Sequence, residues 1–166
     1  MKRSVIIIIV GLFVATNSFA KRTGVCGAEG DGSNLTWTLA RGVLTISGTG
    51  AMADYDKEYS KNGFITTTAP WGKHSSSLKR LVINEGITYI GKCAFFYCST
   101  IKGSLTIPNS VVTIGELAFS GCRGFTGDLT IPNSVETIGG GAFQSCSGFT
   151  GSLTIPNSVY ANKKIM

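Results

Sequence analysis

IPNSVVTIGELAFSGCRGFTGDLT, residues 107–130, is followed without a break by IPNSVETIGGGAFQSCSGFTGSLT, residues 131–154. The two segments agree at 17 of 24 positions, and INEGITYIGKCAFFYCSTIKGSLT, residues 83–106, agrees with the first of them at 9 of 24. A further copy opens as IPNSV at 155–159. Self-similarity at a fixed period of this length marks a stacked repeat. The shared positions in the middle copy are Ile107, Val111, Ile114, Ala118, Phe119, Cys122, Phe125 and Leu129. Their irregular spacing matches neither the helical period of 3.6 nor the strand period of 2. It matches a coil that bends several times and sends one residue inward at each side. Leu129-Thr130-Ile131 alternates as a short strand, 135–138 as a second, and Ala142-Phe143 suits a short helical or 3₁₀ turn. Pro132 ends the first strand, and glycines 127, 139 and 148 supply the bends. One such coil cannot enclose its own apolar side chains, so neighbours must stack and share a core. The predicted fold class is mainly β, a short solenoid of 24-residue coils over 81–159.

Upstream, NLTWTLA (34–40) and VLTISG (43–48) alternate apolar with polar and flank Arg41-Gly42, which predicts a β-hairpin with one face buried. A solenoid needs its first coil covered, because an open strand edge is a template for other chains. The region 21–80 therefore reads as a cap, with Trp37 and Trp71 large enough to plug the open end and 54–69 as a surface loop. At the other end, 160–166 (YANKKIM) is too short to fold over a coil. Lys163 and Lys164 there discourage edge pairing. The alternatives are a truncated array or self-association through an uncapped C-terminal coil.

The phrase LTIPNSV-x-TIG-x-x-AF-x-x-C-x-GFTG resembles the leucine-rich repeats of the BspA-like surface-protein family. The block CGAEGDGSNLTWTLARGVLTISGTGAMADY (26–55), then PW (70–71) and LKRLVINEGITYIG (78–91), is similar to the leader that precedes such repeats. The likeness covers essentially all of 26–159. It implies a leucine-rich-repeat solenoid in a secreted, periplasmic or cell-surface protein that contacts host matrix proteins or other cells without catalysis.

Composition agrees with a folded, exported chain. Of 166 residues, 14% are charged and 43% hydrophobic, and the 22 glycines are about twice the usual share. Lys2 and Arg3, the apolar run 5–15, and the small residues Ser18 and Ala20 describe a secretory signal peptide over 1–20. The run is too short to span a bilayer, so the mature chain is not expected to cross a membrane. Removing Lys2 and Arg3 lowers the net charge from +6 to +4. With no basic cluster, that balance argues against a nucleic-acid partner.

Chemistry-bearing residues are few. Cys98, Cys122 and Cys146 recur every 24 positions and predict a buried column beside Phe95, Phe119 and Phe143. Thiols stacked in parallel do not meet at a disulfide torsion. Cys93 with Cys98, or Cys26 with Cys93, are the other pairings the sequence allows, and a linear column gives zinc no tetrahedral site. His74, the single histidine, lies in the loop KHSSS away from that column, so no Cys–His pair is expected. Gly48-Thr-Gly-Ala-Met-Ala53 has the spacing of a dinucleotide fingerprint but no helix follows it, and it reads as a turn. Asp54, Asp56 and Glu58 are spaced like calcium ligands, yet the required sixth-position glycine is Tyr59. No cofactor, metal or catalytic group is assigned. The remaining candidates are the outward residues of the G-S-L-T-I strands: Ser104 and Thr106, Asp128 and Thr130, Ser152 and Thr154. Stacking is expected to align them into columns able to hydrogen-bond a protein strand or glycan of a host or cell surface. The reading is a non-catalytic, adhesin-like module; the alternative is a structural fragment of a longer array with no ligand of its own.

Overall fold

A computed structural model of the chain describes residues 20–59 and 63–161. The signal peptide lies outside the described residues except for Ala20, as do Lys163 and Lys164. Among the described residues no helix is long and apolar enough to cross a membrane. The chain runs β1 (Arg22–Val25), β2 (Leu35–Ala40), β3 (Val43–Gly48), β4 (Gly50–Ala51), β5 (Lys57–Tyr59) and β6 (Ile65–Thr67), then a 3₁₀ helix over Gly72–Ser77. It continues through β7 (Arg80–Ile83), β8 (Ile87–Ile90), β9 (Thr113–Ile114), β10 (Gly127–Thr130), β11 (Thr137–Ile138), β12 (Phe149–Thr154) and β13 (Tyr160–Ala161).

The repeat stacks in parallel. Tyr89 pairs with Thr113 and Thr113 with Thr137, so β8, β9 and β11 form one ladder at a spacing of 24. Strands β4 and β13 extend it at its two ends, giving the order β13-β11-β9-β8-β4. The Ile-Gly pair closing each of these segments needs glycine for contact: a Cβ at Gly139 would stand 2.4 Å from the Glu116 nitrogen of the coil below.

The Ala-Phe corner is a series of 3₁₀-type turns without a regular helix. Alternate amides do different jobs there. Ala94, Phe96 and Cys98 donate back to Gly91, Cys93 and Phe95, whereas Cys93, Phe95 and Tyr97 donate to the carbonyls of Glu116, Ala118 and Ser120 in the next coil. Leu117, Phe119 and Gly121 repeat the pattern onto Gly140, Ala142 and Gln144. This alternation sets two left-handed residues per coil: Cys93 and Tyr97, then Leu117 and Gly121, then Gly141 and Ser145, with φ between 52° and 76°. Only two of the six are glycine, so four side chains sit where L-residues are disfavoured.

The N-terminal block differs from a lid laid over the array. The hairpin forms as expected, β2 pairing with β3 across the left-handed Arg41 and Gly42. But β3 then runs parallel to β7 with Val43 opposite Arg80, and β4 runs parallel to β8 with Gly50 opposite Ile87, both 37 positions apart. Farther on, Trp71 stacks on Phe95, 24 positions apart, with ring centroids 5.4 Å apart and an interplanar angle of 19°. The block is therefore the first coil of the solenoid, interrupted by a 13-residue insertion. That insertion is not simply a surface loop, since β5 and β6 form an antiparallel hairpin within it and Thr67 and Ala69 are buried.

A continuous main core runs through the stack. Trp71, Phe95, Phe119 and Phe143 lie one above another, the successive phenylalanines 5.1 and 5.4 Å apart with nearly parallel rings. Trp71 is fully buried and satisfies its indole N–H by donating to the Ala94 carbonyl at 2.8 Å. Phe125 and Phe149 form a second stacked pair at 5.9 Å. All eight recurring positions of the middle coil, from Ile107 to Leu129, are buried.

Candidate functional site

Strand direction decides what the open face presents. Leu105 and Leu129 are buried, and the residues beside them, Ser104, Thr106, Asp128 and Thr130, are exposed, as are Ser152 and Thr154. Strands β10 and β12 pair in parallel, with Leu129 opposite Leu153 and Thr130 opposite Thr154.

Residues 104–106 form no strand, and their segment meets the next coil through an isolated parallel bridge, Gly103 to Phe125, backed by the Thr126 amide donating to the Gly103 carbonyl at 2.9 Å. That bridge joins residues 22 apart, and the same offset recurs one coil on, where Gly127 lies opposite Phe149 before an irregularity restores the 24-residue register at Leu129 and Leu153. Gly103 and Gly127, at φ +91° and +80°, are the equivalent residues of the two coils. Open clefts flank residues 104–106. One, of about 440 Å³, lies against β7 beside Arg80 and Lys102, and one of about 490 Å³ lies against β10 beside Asp128 and Thr130.

Carboxylates tie coils together, among them Asp128 and Asp54, which the sequence offered as ligands. Asp128 accepts the Ser152 amide at 2.7 Å, which takes one of its oxygens from the open face. Glu85 accepts the amides of Asn109 and Ser110 at 3.1 and 3.0 Å. Asp54 accepts the Tyr89 hydroxyl at 2.6 Å and the Lys92 amide at 2.7 Å. Burial and then Asp54 push the Tyr89 phenol up to about 12. Asp56 pairs with Lys92 at 3.7 Å on the surface. Among the described residues no three His, Cys, Asp or Glu side chains converge as a metal site.

The thiols belong to the core. Cys98 and Cys122 are fully buried and Cys146 half-buried. Cys122 and Cys146 each donate to the carbonyl of the phenylalanine one coil below, Phe95 and Phe119, at 3.0 Å. Burial pushes Cys98 up to about 12 and Cys146 to about 11. Cys93 packs with Phe96 and Leu117 in a cluster separate from the core that holds Cys98, so the two thiols do not meet; all five cysteines are free. His74 is half-buried on the 3₁₀ helix, where an exposed loop was expected. Burial, then Arg22 and Lys73, lower its pKa.

A larger cleft went unread in the sequence. It measures about 700 Å³ and lies where the insertion, the 3₁₀ helix and the corner of the next coil meet. Phe64 and Tyr97 contribute rings, Ser75, Ser76 and Ser99 contribute hydroxyls, and Lys73 contributes a charge. The insertion hides the 24-residue offset that brings residues 72–76 beside residues 97–100, so their meeting had no sequence signal beyond a local excess of serine.

A family model described as the BspA type leucine rich repeat region matches residues 73–165. None of the curated proteins matches the chain in sequence. Among solved structures, the chain is similar to a leucine-rich repeat protein from Eubacterium ventriosum, at 27% identity and a TM-score of 0.60 over 86% of this chain and 40% of that one. It is also similar to a leucine-rich repeat protein from Bacteroides ovatus, at 20% identity and a TM-score of 0.46 over 76% of this chain and 41% of that one. A leucine rich cell surface protein from Faecalibacterium prausnitzii aligns at 21% identity and a TM-score of 0.42, over 76% of this chain and 42% of that one. The chain thus spans about 40% of the length of each.

Proposed function

The chain belongs to the BspA-type leucine-rich repeat family, and from that premise we propose that it is a non-catalytic binding module of a secreted or cell-surface protein. Its partner is a protein or glycan on a host or neighbouring cell. The observation that carries this reading is the open face, where Ser104, Thr106, Asp128, Thr130, Ser152 and Thr154 are all exposed over a rigid core. A solenoid of this kind binds through many modest contacts spread along its length. Residues 103–106 carry only an isolated bridge to the next coil, which leaves ladder positions for an extended peptide adding as a strand. Thiols held protonated by burial support a role without covalent chemistry, because the thiolate is the nucleophilic form.

The test is biolayer interferometry of the purified chain against immobilised extracellular-matrix and cell-surface protein fractions. Binding is expected to at least one fraction and to be lost when Thr130 and Thr154 are both changed to arginine. Absence of affinity for every fraction, or retention by the double variant, rejects the open face as the binding surface.

A further inference from the structure

The insertion that interrupts the first coil builds a cleft that the repeat by itself would not have. Its walls combine two aromatic rings with serine hydroxyls, and Lys73 is the only charged residue among the described residues lining it. Phe64 stands 73% exposed on the β6 arm of the insertion. Tyr97 is held from behind: a Cβ at Gly121 would come within 2.7 Å of its ring. Its backbone sits at φ +54°, at the position where the next coil has glycine at φ +76°. A bulky side chain is disfavoured in that region, so the chain keeps an aromatic ring beside the cleft against its local preference.

Among the described lining residues, rings that offer an apolar face, hydroxyls that donate and accept, and one cation without a carboxylate form a definite chemical set. Flat rings take the apolar face of a pyranose, hydroxyls exchange hydrogen bonds with its ring substituents, and a lone ammonium seeks a single negative charge. Arg22, which together with Lys73 depresses the neighbouring His74, adds to the positive field at that side. A polyphosphate would call for several cations, and a purely apolar ligand would leave the hydroxyls and Lys73 unused.

We propose that this cleft binds a carboxylated saccharide, with the sugar ring against Phe64 and Tyr97 and its carboxylate on Lys73. The site shares no residue with the open strand face, so it stands or falls independently of the role assigned there.

The experiment is an amide-resonance NMR titration of the purified chain with 3′-sialyllactose, with a glucuronate-containing hyaluronan tetrasaccharide, and with lactose. At least one of the two acidic sugars is expected to shift resonances of residues 72–76 and 97–100, and lactose to bind about fivefold more weakly or less. Lys73→Gln should bring the acidic sugar down to the lactose level, a loss that rising salt also produces. Phe64→Ala, at a position 73% exposed, should abolish the shifts. Silence from both acidic sugars, equal binding of lactose, unchanged affinity in Lys73→Gln, or shifts confined to residues 127–130 and 149–154 would each overturn the proposal.

Discussion

The first and the last described coils differ in how their inner residues are covered. At the N-terminal end the aromatic row finishes in Trp71, wholly buried and walled by Trp37 and Tyr55, whose rings lie 6.3 and 5.7 Å away. At the other end, Leu153 and Ile155 are 43% and 38% exposed, although they occupy the repeat positions of Leu129 and Ile131, which are 6% and 2% exposed. The residue types are the same in both coils. What differs is whether a neighbouring coil lies over them, so burial in this fold is conferred by the neighbour and not by the residue. Stability should accordingly be graded along the axis.

The largest way to break the contrast is at the sealed end. Trp71→Ala removes the terminal member of the row and leaves the Ala94 carbonyl without its donor. It should cost about 3–5 kcal/mol in urea unfolding, enough to detach the first coil. A paired test sharpens it. Leu129→Ala should cost about 2–5 kcal/mol, whereas Leu153→Ala, the same change one coil on, should stay within about 0.5 kcal/mol. Equal costs would refute the graded axis.

Alkali probes the interior. Because burial raises the Cys98 thiol to about 12, the unfolded chain releases that proton first as pH rises. The stability it supports is complete below the unfolded thiol range near 8.5. It then falls by about 1.4 kcal/mol per pH unit until the folded pKa is reached. Denaturant midpoints between pH 8 and 11 should fall at least this steeply, because burial raises Cys26 and Cys146 as well, and Cys98→Ala should lessen the slope. The smallest expected effect is a gain: Ser145 is exposed at φ +59°, so Ser145→Gly should stabilise by about 0.5–1 kcal/mol in thermal melts. No gain there would mean that the left-handed corner carries no strain.

The periodic part of the molecule was readable because each inward residue recurs every 24 positions, and a period survives changes of individual residues. Three features were not. The first coil was hidden because its halves lie 37 and 24 positions from their partners, which breaks the period a reader searches for. The left-handed pair was hidden because Cys93, Tyr97, Leu117 and Ser145 occupy positions that glycine would have advertised. The role of Asp54 was hidden because carboxylates at ligand-like spacing look alike whether they hold an ion or, as here, cap the amide of Lys92 and the phenol of Tyr89. The exposed side of the strands was legible from alternation alone, but the 22-residue offset at Gly103 and again at Gly127 is a backbone event that residue types do not announce.

A coil that departs for 13 extra residues and rejoins its neighbours in phase has a practical meaning for how such proteins diversify. The side branch leaves the axial pitch untouched, so a new recognition arm can be spliced in at this corner, lengthened or exchanged while the spine beneath stays as it was. Variation in what is recognised is thereby uncoupled from variation in what holds the molecule upright.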